Sequence, residues 1–186
     1  MSEQADHGKR PVSAVLAGPY GHPFHPILVT LPIGAWVSSL VFDVASRIVG
    51  DPGFLTKGSL WLISIGLLGA LAAATIGFLD FMAIPTGTPA FRTGVAHMSL
   101  NLAVTISYAV NLVWRHADYG TPDAVGIGQL VLSAVSLAGL SAAGYLGGRL
   151  VFRDGVRVVD EATQADAFEH PSRPDRHRRP DRSTTA

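Results

Sequence analysis

The feature that most constrains this chain is a set of four apolar stretches, each about as long as a bilayer is thick. They cover residues 27–49, 59–79, 95–114 and 124–146. A helix that crosses a hydrocarbon core of about 30 Å needs roughly 20 apolar residues. Backbone groups in lipid must find their hydrogen-bond partners within the segment, so stretches of this kind are helices. The sequence therefore predicts an all-α fold, a four-helix transmembrane bundle.

The distribution of charge separates this prediction from a soluble helical bundle. Only 10 of the 28 charged residues lie between positions 27 and 150, and the second and fourth stretches contain no Asp, Glu, Lys, Arg or His. The third stretch contains only His97, and the first contains Asp43 and Arg47 near one end. A soluble bundle would place polar residues on every turn of each helix. The membrane interpretation is therefore favoured.

Composition excludes several classes of function. The formal net charge is zero and the apolar body has no stripe of Lys or Arg, so nucleic-acid binding is not expected. The chain has no cysteine, which excludes disulfides, thiolate metal sites, cysteine-ligated iron–sulfur clusters and covalently attached c-type haem. The serines lie inside apolar helices, away from any His–acid pair with hydrolase spacing.

The chain divides into three regions. Residues 1–20 form a polar amino-terminal segment, residues 21–158 the transmembrane domain, and residues 159–186 a tail that is acidic first and then rich in Arg and Pro. The tail has too few apolar residues to offset its chain entropy, so we expect it to be disordered. No cleavable signal peptide is visible, so the first helix is expected to be an uncleaved anchor.

The basic residues near the span ends predict the orientation of the chain in its membrane. With the amino terminus in the cytoplasm, six lie inside: Lys9, Arg10, Arg92, Arg149, Arg153 and Arg157. Three then lie outside: Arg47, Lys57 and Arg115. Both termini are therefore predicted to be cytoplasmic.

Small residues repeat at four-residue spacing on the second and fourth helices, which predicts close helix contacts. They are Gly66, Ala70 and Ala74, then Gly139, Ala143 and Gly147. We favour contacts within the chain, and a homodimer seam is the alternative. Near the other end of the first helix, Asp43 and Arg47 are spaced i,i+4, which predicts a local ion pair.

Five polar residues are predicted to converge on the cytoplasmic side. The first helix runs outward, the second returns and the third leaves again, so their inner ends meet. The residues are His22 and His25 before the first helix, Asp80 at the end of the second, and His97 with Asn101 one turn later on the third. Pro23 and Pro26 restrict the residue before each of them, which holds both amino-terminal imidazoles in extended backbone.

Three interpretations of this cluster remain open. His97 and either His25 or His22 are the axial ligands of a non-covalently bound haem b in the first. In the second, His22, His25, Asp80 and His97 bind a divalent metal. In the third, the same groups form a polar network that fixes the helix ends or relays protons, with no cofactor. A transmembrane electron relay would need a second haem near the outer face, where the chain offers only His116.

Several motifs in order resemble a bacterial membrane-protein family known as domain of unknown function 2231. They are His22-Pro-Phe-His-Pro26, Leu31-Pro-Ile-Gly34, Gly77-x-x-Asp80, Ile84-Pro85, His97-x-x-x-Asn101 and the segment Gly147 to Val156. The similarity covers roughly residues 20 to 160. It implies a four-helix integral membrane domain without an established activity. The family pattern falls on His22, His25, Asp80, His97, Asn101, Gly148 and Gly155.

By analogy, the resemblance also implies a function in electron transfer. The family is distantly similar to four-helix b-type cytochromes, and some members are joined to Rieske-type iron–sulfur domains. This chain has no cysteine for such a cluster, so an electron partner would be a separate protein. The sequence thus predicts a multi-pass membrane protein of unknown activity that binds haem b for electron transfer. The alternative is a structural or transport protein with a His/Asp polar or metal site.

Overall fold

The computed structural model describes residues 24–117, 119, 123–158 and 164, and all regular structure in these residues is helical. The helices are α1 (Phe24–Leu28), α2 (Thr30–Ser46), α3 (Gly53–Met82), α4 (Pro89–Ala117) and α5 (Ile127–Phe152). The predicted amino-terminal segment, and with it His22, lies outside the described residues. So does the predicted disordered tail, apart from Gln164.

Helices α1 and α2 form one span, Phe24–Ser46, with an interruption at Val29. Pro32 has no amide hydrogen to donate to the carbonyl of Leu28, which removes one bond of the helical ladder at this point. This span and the helices α3, α4 and α5 are each long and apolar enough to cross a membrane. The predicted four-helix membrane fold is therefore confirmed.

The bundle consists of two helical hairpins. The most extensive contacts join α2 to α3 and α4 to α5. We call α1–α2–α3 the first hairpin and α4–α5 the second hairpin. The hairpins meet through α3 against α4 and α2 against α5. Short connections, residues 47–52 and 83–88, hold neighbouring helices antiparallel.

The interior contains polar and charged side chains beside its apolar core, while many large apolar side chains lie on the exterior. Asp43 and Asn111 are fully buried, whereas Leu68 and Val113 expose 70% and 73% of their surface. This arrangement is the reverse of a soluble bundle, which buries its large apolar side chains and exposes its charges. A lipid-facing exterior explains it, because intramembrane charged residues face the bundle interior.

Aromatic rings and glycines set the spacing at the centre of the bundle. Trp36 of α2 and Tyr108 of α4 stack with ring centroids 4.1 Å apart and planes 9° apart. A Cβ atom at Gly66 would lie 2.2 Å from Nε1 of Trp36, so only glycine lets α3 approach this ring. Gly139 of α5 likewise faces Val104 of the same chain. The small-residue ridges therefore make contacts within the chain, as predicted.

Candidate functional site

His25 lies in α1, so its predicted place in extended backbone before the first helix is wrong. Pro26 is tolerated beside it because the first turn of a helix needs no amide donor. The His25 ring is held against α3. Its Nδ1 atom is 2.9 Å from the carbonyl oxygen of Ala73. One turn further along α3, a Cβ atom at Gly77 would lie 2.7 Å from the His25 ring, so the glycine provides the space that the imidazole fills. A carbonyl oxygen can only accept, so Nδ1 of His25 carries the hydrogen.

His97 lies in α4 and is held against α5 in the same way. Its Nδ1 atom is 2.8 Å from the carbonyl oxygen of Ala143. A Cβ atom at Gly147 would lie 3.0 Å from the His97 ring. Nδ1 of His97 therefore also carries the hydrogen, and in the neutral imidazole the lone pair is on Nε2.

The two imidazoles are neighbours across the bundle. Their ring centroids are 6.4 Å apart and their planes are inclined at 80°. Residues that are distant in sequence thus come together from opposite hairpins at one end of the molecule, which we call the His end. Backbone carbonyls fix the orientation of both rings, which is how proteins commonly hold imidazoles that bind a metal through the other nitrogen.

Asn101 completes the arrangement around His97. Its Nδ2 atom donates to the backbone oxygen of His97 at 2.9 Å and lies 3.2 Å from Nε2 of the same imidazole. The i,i+4 spacing on α4 places the amide beside the ring. A metal atom at Nε2 of His97 would replace this second contact.

Asp80 lies at the His end and forms an ion pair with Arg157. Its Oδ1 atom is 3.1 Å from Nε of Arg157, and both side chains are mostly buried. The chain after α5 turns back to make this contact, with Gly155 and Arg157 at φ values of 67° and 60°. A left-handed conformation is uncommon for a non-glycine residue, and Arg157 adopts it where it pairs with Asp80.

No three His, Asp or Glu side chains lie close enough to hold a metal ion within the part of the chain that the structure describes. Two members of the predicted four-residue metal set, His25 and His97, are adjacent. Asp80 faces Arg157 instead, and His22 lies outside the described residues. The structure thus brings together His25, His97 and Asn101.

The opposite end of the bundle contains a buried ion pair that the sequence did not predict. Arg115 of α4 makes a bidentate contact with Asp43 of α2, with Nη1–Oδ1 and Nη2–Oδ2 distances of 2.7 Å each. The two side chains are 4% and 0% exposed. We call this region the charged end.

The predicted local pair between Asp43 and Arg47 is therefore wrong. Arg47 is exposed and donates through Nη1 to the carbonyl oxygen of Val125 at 2.7 Å. On α2 the Asp43 side chain points into the bundle, while Arg47 lies at the end of the helix and reaches the chain before α5. Because the Asp43 side chain lies in the interior, Arg115 of the second hairpin is its partner instead of Arg47.

All N–H groups of Arg115 have partners inside the bundle. Nε donates to Asn111 Oδ1, Nη1 donates also to Ser59 Oγ, and Nη2 donates also to Ser133 Oγ, at 2.9, 3.0 and 3.2 Å. Ser59 and Ser133 in turn donate to the carboxylate of Asp43. A buried ion pair is stable only when its remaining donors and acceptors are satisfied, and this network meets that condition.

A signal for the charged end was present in the sequence. Asn111 and Arg115 are spaced i,i+4 on α4, so they share a face of a helix that is otherwise apolar around them. Asp43 lies at the matching depth on the first span. An intramembrane charge that needs a partner of opposite sign would have linked Asp43 to Arg115.

A pocket of about 210 Å³ opens beside this network and is lined in part by Lys57, Arg115, Asp123 and Gln129. The guanidinium that forms part of its wall is already committed to Asp43 and its neighbours. The pocket therefore offers an outside ligand no unpaired donor from Arg115.

The fold and the two ends together define a class, the four-helix integral membrane proteins with polar groups held inside the bundle. The chain belongs to the family described as predicted membrane protein (DUF2231), which matches residues 21–160. No curated protein and no solved structure matches the chain.

Proposed function

We propose that this protein is a multi-pass protein of the bacterial inner membrane that binds one haem b through His25 and His97 and serves in electron transfer. The observation that carries the proposal is the pair of imidazoles, 6.4 Å apart, contributed by opposite hairpins. Two metal–nitrogen bonds of about 2 Å each, together with the two ring radii, span roughly 6 Å between ring centroids. The separation therefore suits two ligands of one metal atom.

The donor set also fits haem. Both imidazoles donate through Nδ1 to a backbone carbonyl, which orients the ring and directs the Nε2 lone pair elsewhere. Two neutral imidazoles are common axial ligands of haem iron, and when bound the haem would supply a one-electron redox couple. The chain's own contribution is to hold the two rings in place and to exclude water with apolar helices.

The membrane orientation belongs to the same proposal. By their order along the chain, six of the nine basic residues near the span ends are expected on the side of the His end, which favours a cytoplasmic location for that end. An electron partner would then meet the protein from the cytoplasm or within the inner leaflet. The chain has no cysteine, so that partner carries any iron–sulfur cluster itself.

A visible spectrum before and after dithionite reduction tests the proposal. We expect purified wild-type protein from haem-replete cells to show a Soret band that shifts on reduction, and His25→Ala and His97→Ala to lose it. His116→Ala is the matched control, because this exposed imidazole lies at the charged end beside Tyr119. A colourless wild-type preparation, or a band that both variants retain, would contradict haem binding.

A second candidate is a structural role without a cofactor. The His25–Ala73 and His97–Ala143 contacts each join two helices of one hairpin, so the imidazoles also pin the helix ends. Elemental analysis of the same preparation separates the cases. Iron in equal amount with the protein, together with the Soret band, supports haem. A stoichiometric metal without that band supports the divalent site, and the absence of bound metal supports the structural role.

A further inference from the structure

Three contacts between the hairpins have the same register. His25 lies beside His97, Trp36 stacks on Tyr108, and Asp43 pairs with Arg115. In each pair the second residue lies 72 positions after the first. An interface in which residues meet their own counterparts is the signature of a two-fold axis, because only positions on the axis contact their equivalents.

The outer helices of the hairpins follow a second constant register. Ala73 and Ala143 accept from the two histidines, and Ile63 and Ser133 accept from Trp36 and Tyr108 through their backbone oxygens. In both comparisons the acceptor on α5 lies 70 positions after the acceptor on α3. The hydrogen bonds that hold the axial side chains are therefore repeated between the hairpins.

The close approaches at glycine repeat in the same two registers. Gly58 faces Phe42 and Gly128 faces Trp114, each with a virtual Cβ less than 3 Å from the ring. Two further matched pairs complete the series. Gly69 against Pro32 corresponds to Gly139 against Val104, and Gly77 against His25 corresponds to Gly147 against His97, with the same two shifts. Between residues 58–77 and 128–147, 8 of 20 positions are identical.

From these registers we infer that the chain is a tandem duplication of one helical hairpin, folded about an approximate two-fold axis. The opposite charges of Asp43 and Arg115 make each hairpin a docking surface for the other hairpin, and not for a second copy of itself. His25 and His97 are the two equivalent halves of one site on this axis. The inference stands on the protein's own contacts and holds with or without a cofactor.

Asp43 and Arg115 occupy equivalent positions in the two hairpins but carry opposite charges. If a hairpin met a second copy of itself, the axis would bring together two Asp43 carboxylates or two Arg115 guanidinium groups. Like charges at a buried axial position carry a large desolvation and repulsion cost. Unlike charges at this position therefore select the pairing of the first hairpin with the second and disfavour pairing with the same hairpin of another molecule.

Transposing the charges across the axis in the full-length protein tests the inference. We expect Asp43→Arg and Arg115→Asp each to lower the Tm in detergent by roughly 10 °C or more, because two like charges become buried. The double variant should recover most of the loss. Asp51→Arg and Lys57→Glu are controls of the same charge change at exposed positions, and should leave the Tm nearly unchanged.

Transposing the aromatic pair tests the two registers at once. Gly66 lies against Trp36, and the equivalent position against Tyr108 is Ser136. Trp36→Tyr with Tyr108→Trp should lower the Tm, because the larger ring then faces serine instead of glycine. Adding Gly66→Ser and Ser136→Gly should restore it, whereas Gly66→Ser with Ser141→Gly, an exposed serine of α5, should not.

The inference is overturned if the double charge variant is as unstable as the worse single variant and the fourfold aromatic transposition is no more stable than the twofold one. Recovery in both sets supports the duplication. Recovery of the charges without recovery of the aromatic set would show a simple ion pair between two unrelated halves, and would also overturn it.

Discussion

The two ends of the bundle axis hold polar residues in different ways. At the charged end every N–H of Arg115 has an acceptor from Asp43, Asn111 or a serine. At the His end each imidazole commits Nδ1 to a backbone carbonyl, and the part of the chain that the structure describes gives Nε2 of His25 no hydrogen-bond partner. At the charged end the donors of Arg115 are all used inside the bundle. At the His end Nε2 of His97 contacts Asn101, and Nε2 of His25 has no partner among the described residues.

This difference ties the charged end to the stability of the fold and the His end to the proposed binding function. A saturated ion-pair network inside a membrane bundle fixes the pairing of helices and resists change. In the proposed site, a metal at Nε2 of His97 would displace the contact from Asn101. Mutations at the charged end should therefore affect folding first, and mutations at the His end should affect binding first.

The largest effect is expected from Arg115→Ala. This change leaves the carboxylate of Asp43 buried without its bidentate partner, which costs about 3–5 kcal/mol. The measurement is the Tm or the denaturant midpoint in detergent. Arg47→Ala is the matched control, since that side chain is exposed, and it should cost well under half as much. Equal losses in the two variants would show that the buried network contributes no more than a surface contact.

Gly66→Ala should have the next largest effect. The new methyl group would overlap Nε1 of Trp36 and force the stacked rings apart, at a cost of about 1–3 kcal/mol. The control is Gly144→Ala, where nothing lies within 4 Å of the added atom and alanine favours the helix. Thermal unfolding of both variants measures the difference, and a neutral Gly66→Ala would mean that the helices can separate freely here.

His25→Ala and His97→Ala should destabilise the metal-free protein by similar, smaller amounts. Each loses one hydrogen bond to a backbone carbonyl and some ring packing against glycine, about 1–2 kcal/mol. Equality is the informative result, because equivalent positions on a two-fold axis should contribute alike. Denaturation of haem-free preparations measures it, and a loss confined to one variant would break the equivalence.

Asp80→Asn should have the smallest effect. The change removes the charge that faces Arg157 in a mostly buried pair, but it keeps an amide oxygen of nearly the same shape opposite Nε, so we expect a cost of about 1 kcal/mol. Because Asp80 pairs with Arg157 and the described residues show no hydrogen bond from it to either imidazole, the visible spectrum should stay as in the wild type. A spectrum altered as strongly as in His97→Ala would assign Asp80 to the metal site after all.

Local patterns predicted much of this architecture. Long apolar stretches predicted the four spans, and the His97–Asn101 spacing predicted one face of α4, because both depend on residues close in sequence. The Asp43–Arg115 pair could not be found in the same way, since its members lie 72 positions apart and Arg47 offers a nearer cation. The choice between them depends on which side chain points into the bundle.

The duplication was also partly visible in the sequence. Repeated small residues on the second and fourth spans predicted close packing, but the histidine, aromatic and charged pairs differ in residue type at two of three positions. The contacts show an equivalence that residue identity does not, because Trp36 and Tyr108 occupy equivalent positions in the two hairpins with different rings. Conversely, the histidine cluster as predicted was larger than the pair that the described residues bring together.

The most direct test of the central claim is the electron paramagnetic resonance spectrum of the purified, oxidised protein. Two imidazoles bound to one iron produce a low-spin ferric signal, and loss of either ligand should convert it to high spin. We predict a low-spin signal in the wild type and in His116→Ala, and a high-spin or absent signal in both His25→Ala and His97→Ala. A wild-type protein that contains haem in a high-spin state, or whose low-spin signal survives in either variant, would contradict the paired-imidazole site.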